Sequence, residues 1–198
     1  MAKRMLDQVL VIDIEATCWE GPPPEGLESE IIEIGICPLE ILSRRRLEKR
    51  SILVKPEQSR VSAFCRRLTG LTQEQVDQGI SFAEACLILK RDYLSDKRVW
   101  ASYGNYDRLQ FERQCRYHHI EYPFGEDHIN LKLFLALLHG LGYVNLLEAL
   151  DVMGHSFEGS YHRGSDDAWN AAGIFAEILK RHNIGDKLLE NKSLQAVL

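Results

Sequence analysis

VLVIDIEAT, at residues 9–17, is the most informative stretch of the chain. Its aliphatic and β-branched residues predict a buried strand, yet two carboxylates, Asp13 and Glu15, interrupt the apolar run. Because side chains two residues apart share one face of a strand, these carboxylates emerge side by side and repel each other. The stretch contains no Lys or Arg, so Mg²⁺ or Mn²⁺ is the expected counter-charge. The alternative is a strand end whose two acids face solvent.

The composition fits one globular domain, with 45% hydrophobic and 27% charged residues and no linker-like break. We assign residues 1–182 to this domain and residues 183–198 to a C-terminal tail. No apolar run is long enough for a transmembrane helix and no secretory signal is evident, so a cytoplasmic location is expected. Five scattered cysteines without a C-x-x-C pair argue against a disulfide framework or a zinc site. The net charge of −5 means that any contact with phosphate has to be local.

The pattern along the chain predicts a mixed α/β domain. Three strands, residues 9–17, 30–37 and 46–54, are expected to form an antiparallel meander, and residues 99–104 a further buried strand. Helices are predicted where capping residues precede apolar periodicity and where glycines end it. These helices cover residues 61–69, a short segment after Thr72, 82–94 after Ser81, 106–118 after Asn105, 130–139, 145–154 after Asn145, and a last helix after Ser165 that ends near residue 182.

Two further acids lie where α/β proteins often carry their chemistry. Asp107 follows a strand at a strand-to-helix junction. With Ser165 as N-cap, Asp166 and Asp167 fall in the first turn of the last helix and His162 on the loop before it. Taken alone, Asp107 equally fits a first-turn acid favoured by the helix dipole, and His162 fits a surface histidine. We interpret Asp166 as a first-turn acid and not as a metal ligand.

Together, the four acids and the histidine resemble the motifs of the DEDDh exonucleases. The first motif is residues 13–17, the second is residues 103–107, and the third is His162 followed by Asp167. The resemblance covers roughly residues 8–182. The wording of residues 12–19 and of residues 64–72 is similar to the branch that contains the three-prime histone mRNA exonucleases. This resemblance implies an RNase H-like fold, a mixed five-stranded sheet with helices on both faces.

The resemblance also implies a metal-dependent 3′-5′ exonuclease that releases nucleoside 5′-monophosphates from single-stranded RNA ends, with DNA as a second candidate substrate. Phosphodiester hydrolysis needs an attacking hydroxide, a stabilised leaving oxygen and a neutralised phosphate, which two metal ions supply. The implied cofactor is therefore two Mg²⁺ ions, for which Mn²⁺ substitutes, held by Asp13, Glu15, Asp107 and Asp167 with Asp13 bridging. His162, with an ordinary pKa of about 6.5, would be the general base, so Glu15 and His162 are the expected catalytic residues.

The expected partner is the single-stranded 3′ end of a nucleic acid, with RNA as the first candidate, DNA as the second, and no membrane involved. Phe64 and Tyr106 are candidates for stacking on terminal bases, although the helical spacing of Phe64 fits a buried stripe equally well. Ala16, Thr17 and His162 complete the predicted substrate contacts. The alternative function is a non-catalytic member of the fold that binds nucleic acid or a protein, but such a protein has no need of all five site residues.

Overall fold

The computed structural model describes residues 5–140 and 142–186, and within them an α/β fold of five strands and seven helices. The strands are β1 (Met5–Ala16), β2 (Ile31–Glu40), β3 (Arg50–Leu53), β4 (Arg98–Ser102) and β5 (His128–Asn130). The helices are α1 (Ala63–Thr69), α2 (Gln73–Asp77), α3 (Phe82–Tyr93), α4 (Tyr106–Tyr117), α5 (Leu131–His139), α6 (Leu146–Met153) and α7 (Gly164–Arg181). Of the predicted C-terminal tail, residues 187–198 lie outside the described residues.

The five strands form one mixed sheet in the order β3-β2-β1-β4-β5, with β1 at its centre. β2 pairs antiparallel with both β1 and β3, while β4 runs parallel to β1 and β5 parallel to β4. The predicted meander and the mixed five-stranded sheet are confirmed. Because β1 and β4 are parallel, their carboxyl ends lie at the same edge, and the pairing of β1 with β2 is irregular there, between Glu15 and Ala16. Such irregularities re-aim side chains at the ends of strands.

Helices cover both faces of the sheet, because the side chains of β1 alternate between two apolar clusters. Leu10 and Ile12 belong to the cluster that includes residues of α3 and α4. Val9 and Val11 belong to the cluster that includes residues of α5, α6 and α7. Asp13 and Glu15 continue the odd-numbered series, so the strand directs them towards the face that α7 covers.

Hydrogen bonds confirm several predicted helix ends. Thr72, Ser81 and Asn145 each accept a hydrogen bond from the backbone amide three residues later. Gly70 ends α1 in the left-handed conformation with φ of 71°, which glycine adopts without steric cost.

Two predicted caps differ in their contacts from what the local sequence indicates: Ser165 is not the N-cap of the last helix, and Asn105 is the N-cap of α4 but makes no side-chain capping bond. The last helix begins at Gly164, before the predicted N-cap Ser165, and the Gly164 amide donates to the buried carboxylate of Glu33 at 3.2 Å. Asn105 does precede α4 but makes no capping hydrogen bond. Its side-chain oxygen instead accepts from the side-chain amide of Asn130 at 3.0 Å, which links the ends of β4 and β5. Neither long-range contact leaves a local signal in the sequence.

Two strands differ from what the residue pattern indicates. The third strand is confined to Arg50–Leu53, and residue 46 makes only an isolated bridge with Leu39. β5 has three residues, too few for an alternating pattern to be recognised. The fifth strand was therefore expected only from the resemblance.

Two predictions drawn from composition can be compared with the structure. All five cysteines are free thiols, and four of them are buried. In the parts of the chain that the structure describes, no helix is both long and apolar enough to cross a membrane.

Gly35 of β2 lies directly against the start of α7. A Cβ atom on Gly35 would lie 1.9 Å from the carbonyl carbon and oxygen of Gly164, and only a backbone shift relieves such a contact. We expect Gly35→Ala to lower the free energy of unfolding by about 3 kcal/mol, the upper end of the usual cost of overpacking. Chemical denaturation measures this change. Gly21→Ala, whose Cβ would meet nothing within 4 Å, is the matched control, and equal stability of the two variants would contradict this packing.

Candidate active site

A cavity of about 360 Å³ opens at the sheet edge where β1 ends. Its lining includes all five residues expected to carry the chemistry, namely Asp13, Glu15, Asp107, His162 and Asp167. They come from the end of β1, the start of α4, and the loop and first turn of α7. The fold brings these segments together because β4 leads into α4 beside β1, while α7 packs across β1 and β2.

Asp13 and Glu15 project from β1 into a cluster of carboxylates. Glu15 is only 7% exposed to solvent. Burial, followed by the charges of Asp107 and Asp167, raises the pKa of Asp13 well above its ordinary value. Burial, followed by the charge of Asp167, raises the pKa of Glu15 to about 9. Glu15 therefore favours its protonated form at neutral pH, and a cation beside the two side chains would favour the ionised form of each.

Asp107 is buried in the first turn of α4, and its carboxylate contacts β1. Its Oδ1 accepts a hydrogen bond from the backbone amide of Ile14 at 3.0 Å. Burial raises the pKa of Asp107 to about 6, with the hydrogen bond from Ile14 acting in the opposite direction. This contact holds the start of α4 beside Asp13 and Glu15. A first-turn acid that served only the dipole of its own helix would not need it.

Asp167 is buried in the first turn of α7 and has one satisfied and one unsatisfied oxygen. Its Oδ2 accepts a hydrogen bond from the backbone amide of His162 at 3.2 Å. Its Oδ1 is buried without a hydrogen-bond partner. Burial is the main cause that raises the pKa of Asp167 to about 7. An unpartnered oxygen of a buried carboxylate is costly, and a cation would satisfy it.

His162 lies on the loop that leads into α7, in an unusual backbone conformation. Its φ of 64° lies in the left-handed region, which non-glycine residues rarely adopt and which is often found at functional sites. Its ring lies against the ring of Tyr161, with 4.0 Å between the centroids. Burial lowers the pKa of His162, so the neutral imidazole predominates at pH 7 and can accept a proton.

The donor set of the cavity fits divalent metal ions. Ligand atoms of Glu15, His162 and Asp167 all lie within 4.8 Å of one another. Among the described residues that line the cavity, the carboxylates outnumber the groups that can be positively charged, Lys132 and His162. Hard divalent cations prefer such oxygen-rich sites, and the unpartnered Oδ1 of Asp167 offers a free ligand. The same geometry also permits His162 to act as a ligand, an option that the sequence did not suggest.

The structure brings some predicted substrate contacts to the cavity and leaves others outside it. Ala16 and Tyr106 line the cavity, and Tyr106 is 56% exposed. Thr17 does not line it, because its buried hydroxyl pairs with the Ser59 hydroxyl at 2.8 Å and accepts from the Glu30 amide at 2.9 Å.

Phe64 is half-buried and also absent from the lining, with the Arg67 guanidinium 5.9 Å from its ring centre. Leu68, one turn later on α1, lines the cavity instead and is partly exposed. The predicted stripe of α1 would have buried Leu68. The exposure of Leu68 beside the cavity marks it as a candidate substrate contact, and only the structure reveals this exposure.

Several cavity residues were not predicted from the sequence: Cys18, Leu68, Tyr103, Lys132, Asn145 and Tyr161. Tyr103 belongs to the second motif, where its hydroxyl donates to the carbonyl oxygens of Val144 and Asn145 at 3.0 and 3.1 Å. Tyr161 directly precedes the predicted histidine. Lys132 lies on α5 and Asn145 is the N-cap of α6, and no local pattern in the sequence connects them to the acids.

Comparison with known proteins gives a consistent result. The model of the exonuclease family RNase_T matches residues 10–175. The chain is 32% identical over 191 residues to 3'-5' exoribonuclease 1 of Homo sapiens, covering 88% of this chain and 53% of that protein. It is 29% identical over 174 residues to the probable 3'-5' exonuclease KapD of Bacillus subtilis, covering 85% of this chain and 83% of that protein.

A solved structure resembles the fold closely. The nuclease domain of 3'hExo, described as a DEDDh family member bound to rAMP, superposes with a TM-score of 0.81 at 30% sequence identity. This similarity covers 88% of the present chain and 92% of that domain. By contrast, the chain spans about half the length of the mammalian exoribonucleases that it matches, at 53%.

Proposed function

The chain belongs to the RNase_T exonuclease family and has its RNase H-like fold, and from this premise we propose that it is a metal-dependent 3′-5′ exonuclease. Its substrate would be the single-stranded 3′ end of RNA, with DNA as a weaker substrate, and its products nucleoside 5′-monophosphates. The observation that carries the proposal is the convergence of Asp13, Glu15, Asp107, Asp167 and His162 in one cavity. The rAMP bound by 3'hExo supports a ribonucleotide substrate.

We propose that residues 1–182 act as one exonuclease domain and that the protein works in the cytoplasm. The sheet supports the first point, since it joins strands from β1 to β5 and α7 packs across it. The second is supported by the free thiols of all five cysteines, since disulfides are rare in the reducing cytosol.

In this mechanism Asp13, Glu15, Asp107 and Asp167 would hold two divalent ions, Mg²⁺ or Mn²⁺. When bound, these ions neutralise charge on the phosphate and on the leaving oxygen. Asp107 and Asp167 keep their carboxylates in place through the backbone amides of Ile14 and His162. The pKa of each carboxyl is raised in the absence of a cation, so a bound cation is what keeps them ionised together.

His162 accepts the proton of the attacking water in this proposal. Burial lowers the pKa of His162, which keeps its ring neutral and able to accept a proton at pH 7. The water oxygen then bonds to phosphorus and the P–O3′ bond breaks, so the released nucleotide keeps its 5′-phosphate. The departing 3′-oxygen takes up a proton and becomes the new 3′-hydroxyl of the shortened strand. The next nucleotide can then enter the same cavity.

The size of the cavity sets the form of the substrate. Its volume of about 360 Å³ is at the lower end of the range for small-molecule pockets, about 300–1,000 Å³. Such a site admits one terminal nucleotide and excludes an intact base pair. We therefore expect rapid hydrolysis of single-stranded oligonucleotides with a 3′-hydroxyl, and slow hydrolysis of blunt duplexes and of strands with a 3′-phosphate. Equal rates on single strands and blunt duplexes would contradict the proposed mode of entry.

Tyr106 and Leu68 are expected to hold the terminal base. Tyr106→Ala should weaken substrate binding by about 5- to 150-fold, equivalent to about 1–3 kcal/mol for a stacked base, with a smaller effect on turnover. Equilibrium binding to a single-stranded oligonucleotide in Ca²⁺ measures this change apart from hydrolysis. Phe64→Ala is the companion variant to Leu68→Ala, one turn away on α1. If Phe64→Ala binds like the parent while Leu68→Ala binds more weakly, Phe64 is a supporting residue and not a stacking one.

Because the pKa values of the clustered carboxyl groups are raised, we expect the metal-free protein to lose stability as pH rises. In the folded protein the pKa of Asp107 is about 6 and that of Asp167 about 7, against 3.8 ordinarily. A carboxyl whose pKa is raised by folding stabilises the fold below its ordinary pKa, and this stabilisation is lost as pH rises through the folded value. Because one pKa unit corresponds to about 1.4 kcal/mol, we expect the free energy of unfolding in EDTA to fall by about 2 kcal/mol or more between pH 4.5 and 8.

Denaturation in EDTA at both pH values measures this loss. The double variant Asp107→Asn and Asp167→Asn is the control, and it should show a clearly smaller fall because two of the titrating groups are gone. Added Mg²⁺ should restore the stability of the parent protein at pH 8. If parent and double variant show the same fall, the crowded acids are not its cause.

A further inference from the structure

Glu33 is a fifth carboxylate beside the cavity, and sequence analysis did not single it out. Its side chain is 0% exposed. In the antiparallel pairing of β1 with β2, Glu33 lies opposite Glu15. One of its oxygens accepts from the Ser51 hydroxyl at 2.6 Å. The other accepts from Arg163 Nε and from the backbone amide of Gly164, both at 3.2 Å. Glu33 therefore links the sheet to the residues that directly follow His162.

The charge of Glu33 is unfavourable for the site itself. Glu33 lies close enough to Asp13, Glu15 and Asp167 to raise the pKa of each. If Glu33 only filled space, a neutral residue of the same shape would avoid this repulsion. The negative charge does have a partner on the loop side, where the Arg163 guanidinium forms an ion pair with it.

The loop that carries His162 is held from two sides. On one side its backbone amides bond to α7, from Ser160 to Asp166 at 2.8 Å and from His162 to Asp167 at 3.2 Å. These contacts fix the loop to α7 but not to the sheet. Within the described residues, the hydrogen bonds that tie residues 160–163 and the Gly164 amide to the sheet are those made to Glu33.

We propose that Glu33 is a positioning residue that sets His162 relative to Asp13 and Glu15 through its contacts with Arg163 and the Gly164 amide. The inference rests on the proposed function of the cavity, because the position of His162 matters only if it acts on a substrate. Glu33 touches neither the substrate nor the transferred proton. Its effect is transmitted through the loop, and the unusual φ of His162 makes the loop sensitive to losing such a support.

The test is Glu33→Gln, which keeps the shape of the side chain and removes the charge that pairs with Arg163. Supporting groups of this kind usually contribute 10- to 100-fold to activity. We expect kcat on single-stranded RNA to fall by about 10- to 100-fold, while KM and Mg²⁺ affinity stay within about threefold of the parent. Amide hydrogen exchange should become faster at residues 162–164 and not in β1. An unchanged kcat, or full recovery of kcat at higher Mg²⁺ concentration, would overturn the proposal.

Glu30→Gln is the matched control. Glu30 is also buried and accepts three backbone amides, from Glu57, Gln58 and Ser59, but it lies away from the loop of His162. This variant should be less stable and keep the kcat of the parent. An equal loss of kcat in Glu30→Gln and Glu33→Gln would show general destabilisation and overturn the positioning role.

Arg163→Met keeps the proposal testable if Glu33→Gln does not fold, since Arg163 is partly exposed. Arg163→Met should lower kcat to a similar extent. The double variant should be no worse than either single variant, because each substitution removes the same ion pair between Arg163 and Glu33. A parent-like kcat in Arg163→Met would overturn the proposal. If the parent itself lacks nuclease activity, the proposed function fails, and the exchange rates at residues 162–164 still decide whether Glu33 holds the loop.

Discussion

Asp167→Asn is expected to lower turnover by about 10³-fold or more and to weaken Mg²⁺ binding in the same variant. Asp167 has the one cavity oxygen that is buried without a partner among the described residues, its Oδ1. The amide of Asn carries no charge and directs one donor into a site crowded with acceptors. Loss of a ligand removes several kcal/mol of charge stabilisation from the transition state, and each 1.4 kcal/mol is about tenfold in rate. Calorimetric titration with Mg²⁺ and a turnover assay on one preparation measure both quantities.

Asp166→Asn is the matched control for this variant. Asp166 is in the same helical turn, but its carboxylate contacts Lys49 and the backbone amide of Ser160. The Asp166 variant should keep the Mg²⁺ affinity of the parent. If Asp167→Asn binds Mg²⁺ as tightly as Asp166→Asn does, the assignment of Asp167 as a ligand is wrong.

His162→Ala is expected to lower turnover by roughly 10²- to 10⁴-fold, the usual contribution of general base catalysis. Mg²⁺ affinity and substrate binding should stay near the parent values, because His162 moves a proton in the proposed mechanism and does not hold the ions. In the parent, the rate should rise with pH through the titration of His162. Burial lowers the pKa of His162, so this rise lies below pH 6.5. The variant should lack it when the same metal is used at the same concentration.

The geometry leaves a competing role for His162, which the same variant tests. A ring nitrogen of His162 lies within 4.8 Å of ligand atoms of Glu15 and Asp167, close enough for all three to hold one ion. Loss of Mg²⁺ binding in His162→Ala would assign His162 as a ligand, and unchanged turnover would exclude it as the base. His155→Ala, which removes an exposed histidine after α6, is the control that should behave like the parent.

The first strand and the side-by-side placement of Asp13 and Glu15 could be predicted from the sequence because their signals are local. A strand places residues 13 and 15 on one face whatever surrounds it, and caps such as Thr72 and Ser81 bond to amides three residues away. The meander followed from two further β-branched runs. That Asp107 and Asp167 lie close to the acids of the first strand was expected only from the resemblance. Spacing along the chain does not show which strands are parallel neighbours.

The structure departs from local expectation at residues whose surroundings are set by distant parts of the chain. Ser165 is a good local cap, but Glu33, more than 130 residues earlier, accepts the Gly164 amide and lets the helix start sooner. Thr17 lies in the first motif, but contacts with Ser59 and Glu30 bury its hydroxyl. Phe64 and Leu68 share one helical stripe, and only the packing of α1 decides which of them reaches the cavity.

The most direct test of the proposed function is a time course with single-stranded RNA that carries a label at its 5′ end. With Mg²⁺ present, we predict a ladder of labelled strands that shorten one nucleotide at a time, with nucleoside 5′-monophosphates as the released product. Excess EDTA should abolish the ladder. A label released at once as a mononucleotide would indicate attack from the 5′ end, and a few discrete internal fragments would indicate endonuclease activity. Either result, or an intact strand in the presence of Mg²⁺ or Mn²⁺, would contradict the assignment of this protein as a 3′-5′ exonuclease.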